Sequence, residues 1–218
     1  MLGVDWYRRG WVAVALANSA APDVLVGEDL GAIMERVPGV SCIAVDMPIG
    51  LPEIERAADG LARKFVGPRW QSVFATPPEA VLKAESYTEA NEVAARLLGG
   101  KKISQQAWAL RTNIEVVGKL AARDPRIIEV HPEVSFRELV GGPVAFPKTT
   151  WNGQAIRRRA LADAGIALPD DLGEGGVVPV ADVLDAAVAA WSARRYAQGR
   201  AASFPEGARH GERQVIWY

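Results

Sequence analysis

Five acids stand where the sequence around them reads as buried structure. Asp5 lies in LGVDWY, Asp46 closes the apolar run CIAV just before Met47-Pro48-Ile49-Gly50, and Glu129 sits in RIIEV with apolar neighbours on each side. A parallel strand covered on both faces is apolar nearly throughout, so an acid inside one needs a reason. Asp182 and Asp185, in VADVLDAAVAAW, are three residues apart and share one helix face, which Ala186, Ala189 and Ala193 continue. Side chains that small imply that the face packs closely against something.

Each acid taken singly has an ordinary structural role. Asp46 can cap the turn before proline, and Asp182 can complement a helix dipole. Asp5 can pair with Arg8 or Arg9, and Glu129 can cap the helix that begins at Pro132. One shared explanation covers them all: carboxylates gathered around a divalent cation. Carboxylates a few ångströms apart do not all stay ionised unless a proton or a cation neutralises them. An oxygen donor set, in a chain with one cysteine and two histidines, points to Mg²⁺ or Mn²⁺ rather than zinc. Two such ions about 4 Å apart activate a water and steady the leaving oxygen in phosphodiester cleavage.

Candidates for substrate contact lie elsewhere. Arg63, Arg69, Lys101, Lys102 and Gln105 fall in a helical stretch and have the donors to bind phosphate oxygens; solvation at the surface is their other fate. Trp70, Phe74 and Trp108 either stack on bases or join the core. His131 follows Glu129 by two residues, where it positions water, shuttles a proton or caps the helix. The run Arg157-Arg158-Arg159 reads as a solvated helix face, or else it gathers with Arg8, Arg9, Lys101 and Lys102 into a local basic groove. Ser72 and Ser104 have no histidine at a recognisable spacing, which gives serine hydrolysis little support.

The elements that must position these residues follow an α/β pattern. GVDWYRRGWVAVALA predicts a hairpin of strands at roughly 2–6 and 10–17, followed by a strand near 23–26. EDLGAIMERV is a helix with Leu30, Ile33, Met34 and Val37 on one face. VSCIAVD is the fourth strand, and the two prolines of MPIGLP end it. Residues 55–123 read mostly as helix, at about 55–66, 86–99 and 104–122, interrupted by GPRWQSVFATPP. RIIEV is the fifth strand, and Pro132 opens the next helix. NGQAIRRRALADAG is a helix ended by Gly165. After a glycine-rich loop the last helix runs from Pro179 to Gly199, and ERQVIWY is a final strand or a packed terminus.

At 218 residues, 49% hydrophobic and 23% charged, the chain suits one α/β domain spanning 1–218 with a helical insert at about 55–123. The 25 basic and 26 acidic side chains leave a formal net charge of -1, so bulk electrostatics do not announce a nucleic-acid binder. A lone cysteine, no basic leader and no long apolar stretch predict a cytoplasmic protein with no membrane partner.

The order GVD, GW, AVDMPIG, EVHPE and DVLDA, together with RAADGLARKFVGPRWQSVFATPP and KKISQQAW, resembles the family called domain of unknown function 429, RNase H-like proteins predicted to be nucleases. Order and spacing along nearly the whole chain carry the resemblance, not one motif. It implies an RNase H-like fold: a mixed five-stranded sheet in the order 3-2-1-4-5, the first three strands antiparallel, with helices on both faces. In related nucleases the metal ligands come from the first strand, the end of the fourth and the last helix. Carried over, these are Asp5, Asp46 and Asp185 with Asp182 close by, while Glu129 is similar to the family's acid on the fifth strand. The D-x-x-D-A spacing resembles that of Holliday-junction resolvases. The activity implied is Mg²⁺- or Mn²⁺-dependent cleavage of DNA or RNA. An enzyme of this fold acting on a small phosphorylated or nucleotide substrate, and a non-catalytic binding protein, are the alternatives.

Overall fold

Alternation along the strands divides the side chains of the central sheet between two helical layers. The structure, a computed structural model, describes residues 1–17 and 21–218. β1 (Leu2–Tyr7), β2 (Gly10–Ala15), β3 (Asp23–Gly27), β4 (Ile43–Val45) and β5 (Ile127–Glu129) form a sheet in the order β3-β2-β1-β4-β5. β1, β2 and β3 pair antiparallel, and β4 pairs parallel to both β1 and β5. The chain is therefore an α/β protein with the mixed sheet that the resemblance implies.

Leu2, Val4, Ala13, Leu25, Ile43, Val45 and Ile127 face one layer, where they meet Leu30 and Ile33 of α1 (Leu30–Arg36) and Ile114, Val117 and Ala121 of α6 (Arg111–Arg123). Asp29 starts α1 by accepting the Ala32 amide at 2.7 Å, the ordinary N-cap bond. On the opposite face, Tyr7, Val12, Val14 and Val24 pack on α7 (Pro132–Val140), α8 (Trp151–Asp163) and α9 (Val180–Ala197).

α9 is buried continuously from Val183 to Ala193, as a helix that is apolar nearly all round must be. It crosses β1 at backbone contact: a Cβ built on Gly3 would lie 1.9 Å from the Ala190 nitrogen and 2.2 Å from the Ala186 oxygen. Glycine in the strand and alanine in the helix are thus what let Asp185 come down beside Asp5. Gly3→Ala is expected to destabilise by more than the 1–3 kcal/mol typical of overpacking, because backbone rather than a movable side chain is in the way. Urea unfolding checks this; a loss below about 1 kcal/mol contradicts it.

Between β4 and β5 run α2 (Ala57–Val66), a 3-10 segment (Gly67–Ser72), α3 (Glu79–Leu82), α4 (Tyr87–Leu97), α5 (Gln105–Ala109) and α6. The single helix expected over 104–122 is two. Ser104 caps the first by accepting the Ala107 amide at 3.1 Å, and Arg111 donates from Nη1 to the Trp108 carbonyl at 3.2 Å, satisfying an end that a continuous helix would not have. The C-terminal tail is a strand: β7 (Ile216–Trp217) pairs antiparallel with β6 (Ser203–Phe204) and bridges to Val130 beyond β5. Among the described residues, no helix is long and apolar enough to cross a membrane.

Candidate functional site

Strand register fixes which acids meet. Val4 is the partner of Val45, and the Asp46 amide donates to the Val4 carbonyl at 2.9 Å, so Asp5, inside β1, and Asp46, just past the end of β4, follow side by side on the α9 face. The first two turns of α9 then bring in Asp182 and Asp185. One carboxylate oxygen from each of Asp5, Asp182 and Asp185 lies within 4.8 Å of the others. Asp5 and Asp185 are buried and Asp182 is half-buried. Asp46 lies outside the set whose oxygens are all this close, but its charge acts on both Asp5 and Asp185.

The bonds already made show what the group lacks. Asp5 Oδ1 accepts the Trp6 amide at 2.8 Å, and Asp185 Oδ2 accepts from Lys148 Nζ. Asp185 Oδ1 is buried with no hydrogen-bond partner among the described residues. A bare carboxylate oxygen out of water is costly, and a hard divalent cation is the partner that oxygen donors of this kind suit. The three aspartates are therefore compatible with a metal ion.

Electrostatics agree. Burial first, then Asp46 and Asp185, push the Asp5 carboxyl well above its ordinary value. Burial drives Asp46 up to about 7, with Lys148 opposing and Asp182 and Glu133 adding. It drives Asp185 up to about 6 against the pull of Lys148, and it raises Asp182 as well. Burial disfavours the Lys148 ammonium, but Asp185, then Asp5 and Asp46, outweigh it and raise its pKa.

A carboxyl whose pKa is higher folded than unfolded gives stability that is full below its unfolded value and is lost as pH rises through the folded one. The metal-free protein is therefore expected to lose stability between about pH 4 and the values near 6 and 7 of Asp185 and Asp46. His131, which burial holds below its usual value, acts oppositely below pH 6.5, the unperturbed value. Thermal unfolding in EDTA from pH 5 to 8, repeated with Mn²⁺, checks this. A melting temperature that rises through pH 7 without metal contradicts it.

Glu129 is not part of the aspartate group. Its register partner is Val45, itself paired with Val4, so its side chain leaves the sheet on the face opposite Asp5 and Asp46. Arg56 Nη2 donates to Oε1 at 2.6 Å, while Arg56 Nη1 and the Ile49 amide donate to Oε2 at 2.7 and 2.6 Å. Both oxygens are thereby taken, which corrects the expectation that Glu129 is a ligand. Arg56 also donates to Asp59 Oδ1 from Nε at 2.9 Å and from Nη2 at 2.5 Å, and the Thr76 amide donates to Asp59 Oδ2 at 2.7 Å. This buried network ties β5 to α2 and to the turn after β4.

Both groups of acids line one cavity of about 580 Å³ at the strand ends. Of the expected substrate contacts, Arg69 and His131 reach it. Arg69 donates from Nε to the Val144 carbonyl at 3.1 Å and lies 4.0 Å from Glu133 Oε2. His131 Nε2 is 3.2 Å from the Ser72 carbonyl, which requires Nε2 to carry the proton; buried Nδ1 is then a bare acceptor without a partner among the described residues. His131 occupies the N-cap position of α7 without making a side-chain cap bond.

The others do not line the cavity. Arg63 donates to the Val73 carbonyl at 2.7 Å and lies over the Trp70 ring, Lys101 pairs with Glu55 at 3.0 Å on the surface, and Gln105 is exposed while its neighbour Gln106 faces the cavity. Trp108 packs against Tyr87 under Arg111, whereas Phe74 lines the cavity.

Beside Arg56 and Asp59, Lys148 and Glu133 had no assigned role in the sequence, and Arg157 had the wrong one. Lys148 came from a loop without periodicity. Glu133 follows Glu129 in EVHPE and binds Arg157 Nη2 through Oε1 at 2.5 Å. Arg157 is wholly buried, which corrects the solvated reading of the triple arginine; Arg158 and Arg159 are exposed as expected. Gly153, Arg157 and Leu161 form the buried row of α8, an i, i+4 signal the sequence did contain. Arg157 Nη1 also donates to the Phe146 and Gly153 carbonyls, both at 3.1 Å, and so holds the loop that carries Lys148. Gly153 completes that hold, since a Cβ there would lie 1.8 Å from the Pro147 oxygen.

A family model described as "Protein of unknown function (DUF429)" matches residues 3–210. No curated protein and no solved structure matches the chain.

Proposed function

We propose that this chain, which belongs to the DUF429 family, is a divalent-metal-dependent phosphodiester hydrolase acting on nucleic acid. The observation that carries the proposal is the meeting of Asp5, Asp182 and Asp185 within 4.8 Å, with Asp185 Oδ1 buried and without a hydrogen-bond partner among the described residues. These three carboxylates are the residues to hold Mg²⁺ or Mn²⁺. When bound, such an ion supplies activation of water and stabilisation of a leaving oxygen.

The chain's own groups do the rest. Lys148 carries a positive charge at the aspartates and offers the remaining ammonium protons to a phosphate oxygen. Arg69 keeps Nη donors that bond none of the described residues, beyond its Val144 bond, and faces the same space. His131 Nδ1, a bare acceptor, takes a hydrogen bond from water or a sugar hydroxyl. The Arg56–Glu129–Asp59 network keeps the strand ends fixed behind them.

The cavity volume of about 580 Å³ also falls in the range of small-molecule sites, which favours a nucleotide-sized substrate as the second reading. Incubation with single- and double-stranded DNA and RNA and with nucleotides, in Mn²⁺, Mg²⁺ or EDTA, separates the two. Polymer cleavage that EDTA stops is the expected result; hydrolysis of nucleotides alone selects the second reading, and hydrolysis of neither ends both.

A further inference from the structure

We infer that Lys148 is an exchangeable cation: it neutralises the aspartates in place of a divalent ion and leaves Asp185 for a substrate phosphate, so that metal and phosphate bind cooperatively. This rests on the metal-site reading above. The fold closes its other buried acids differently. Glu129 and Asp59 are held by Arg56, and Glu133 by Arg157, guanidinium groups whose side chains are 2% and 0% exposed. Asp185 is as deeply buried, at 1%, yet its partner Lys148 is 40% exposed. A buried arginine fork fixes a carboxylate in place, whereas an ammonium on a flexible stem that reaches in from solvent withdraws without opening the core. Among the described residues, Lys148 is the basic side chain that pairs with the aspartate group.

The backbone under Lys148 has no need to move. Arg157 Nη1 donates to the Phe146 carbonyl at 3.1 Å, the Thr150 amide donates to the Pro147 carbonyl at 3.0 Å, and Gly153 packs against that same carbonyl. Only the side chain is left to swing, and since Pro147, Lys148 and Thr149 all line the cavity, the ammonium stays within it. Lys148 binds Asp185 through Oδ2, while Oδ1 of the same carboxylate is buried with no partner among the described residues. A cation drawn to Oδ1 therefore meets the ammonium across one carboxyl group, and like charges that close oppose each other, the more so out of water. An anion that takes up the ammonium removes the opposition. Coupling of this kind is reciprocal, so a metal at the aspartates strengthens the hold on phosphate by the same factor.

The test is Mn²⁺ binding at pH 7.5, followed by the electron paramagnetic resonance of the free ion, with and without thymidine 5′-monophosphate, which has no phosphodiester to cut. Lys148→Met is expected to bind Mn²⁺ about tenfold more tightly than the wild type, and Lys148→Arg, which keeps the charge, to show no such gain. The nucleotide is expected to tighten Mn²⁺ binding by the wild type about fivefold or more and to do far less in Lys148→Met. Lys148 is part-exposed, and circular dichroism confirms that the variants fold. Mn²⁺ affinity in Lys148→Met no higher than in the wild type, or a nucleotide effect of equal size in both, overturns the exchange and leaves the metal site. No Mn²⁺ binding by any of the three proteins ends the metal site and the exchange with it. The expected binding pattern with no cleavage of any substrate leaves the exchange and ends the hydrolase.

Discussion

Arg56→Ala is expected to lower the stability of the protein by about 3–5 kcal/mol, the cost of stripping one partner from a buried ion pair. Arg56, Glu129 and Asp59 have side chains only 2%, 5% and 7% exposed, so water does not replace the guanidinium. The variant leaves Glu129 with the Ile49 amide and Asp59 with the Thr76 amide, and two buried negative charges otherwise unneutralised. Replacing the group by apolar residues of similar volume, as in Arg56→Met with Glu129→Leu and Asp59→Leu, is expected to recover much of the loss, since the penalty belongs to the unpaired charge. Urea denaturation measures both. A loss under about 1 kcal/mol for Arg56→Ala, the scale of a surface pair, would mean that the network is solvated.

The second large effect is on the aspartates, and its sign is opposite for stability and for function. Asp5→Asn keeps the shape of the side chain and removes a charge that burial, Asp46 and Asp185 all disfavour. Metal-free Asp5→Asn is therefore expected to melt above the wild type at pH 8, with the gap closing towards pH 5 as the wild-type carboxyls take up protons. Its metal-dependent activity is expected to fall by at least about 100-fold, beyond the 10- to 100-fold usual for residues that only support a ligand. A variant that melts below the wild type at pH 8, or that cleaves as well, contradicts the role given to Asp5.

The strands and most helices were legible because they rest on local signals: alternation in β1 to β3, prolines that end β4 and open α7, and helical periodicity in α1. The strand order and the two helical layers came with the family resemblance, since nothing local says which strands pair. The close packing of α9 was legible too, since the small face of Ala186 and Ala189 does meet β1, at Gly3. Glu129 was misassigned because its face depends on register. The residue type and the apolar neighbours were right, but only the docking of β5 against β4 shows that it pairs with Val45 and turns away from Asp46. That Asp182 comes as close to Asp5 as Asp185 does was not legible for a similar reason, as the reach of each carboxylate is set by how α9 lies over the strand ends. Lys148 is 37 residues from Asp185 in the chain, in a loop without pattern, and nothing local marks it. What brings it in is the Glu133–Arg157 pair, the second of whose members is visible as the middle of an i, i+4 row.

The most direct test of the metal centre is an isothermal calorimetric titration of the metal-free protein with Mn²⁺ at pH 7.5, beside Asp185→Asn. Saturable binding by the wild type, accompanied by proton release and lost in Asp185→Asn, is the predicted result. No binding by the wild type, or equal binding by both proteins, would show that Lys148 and protons alone neutralise the aspartates and that the cluster is not a metal site.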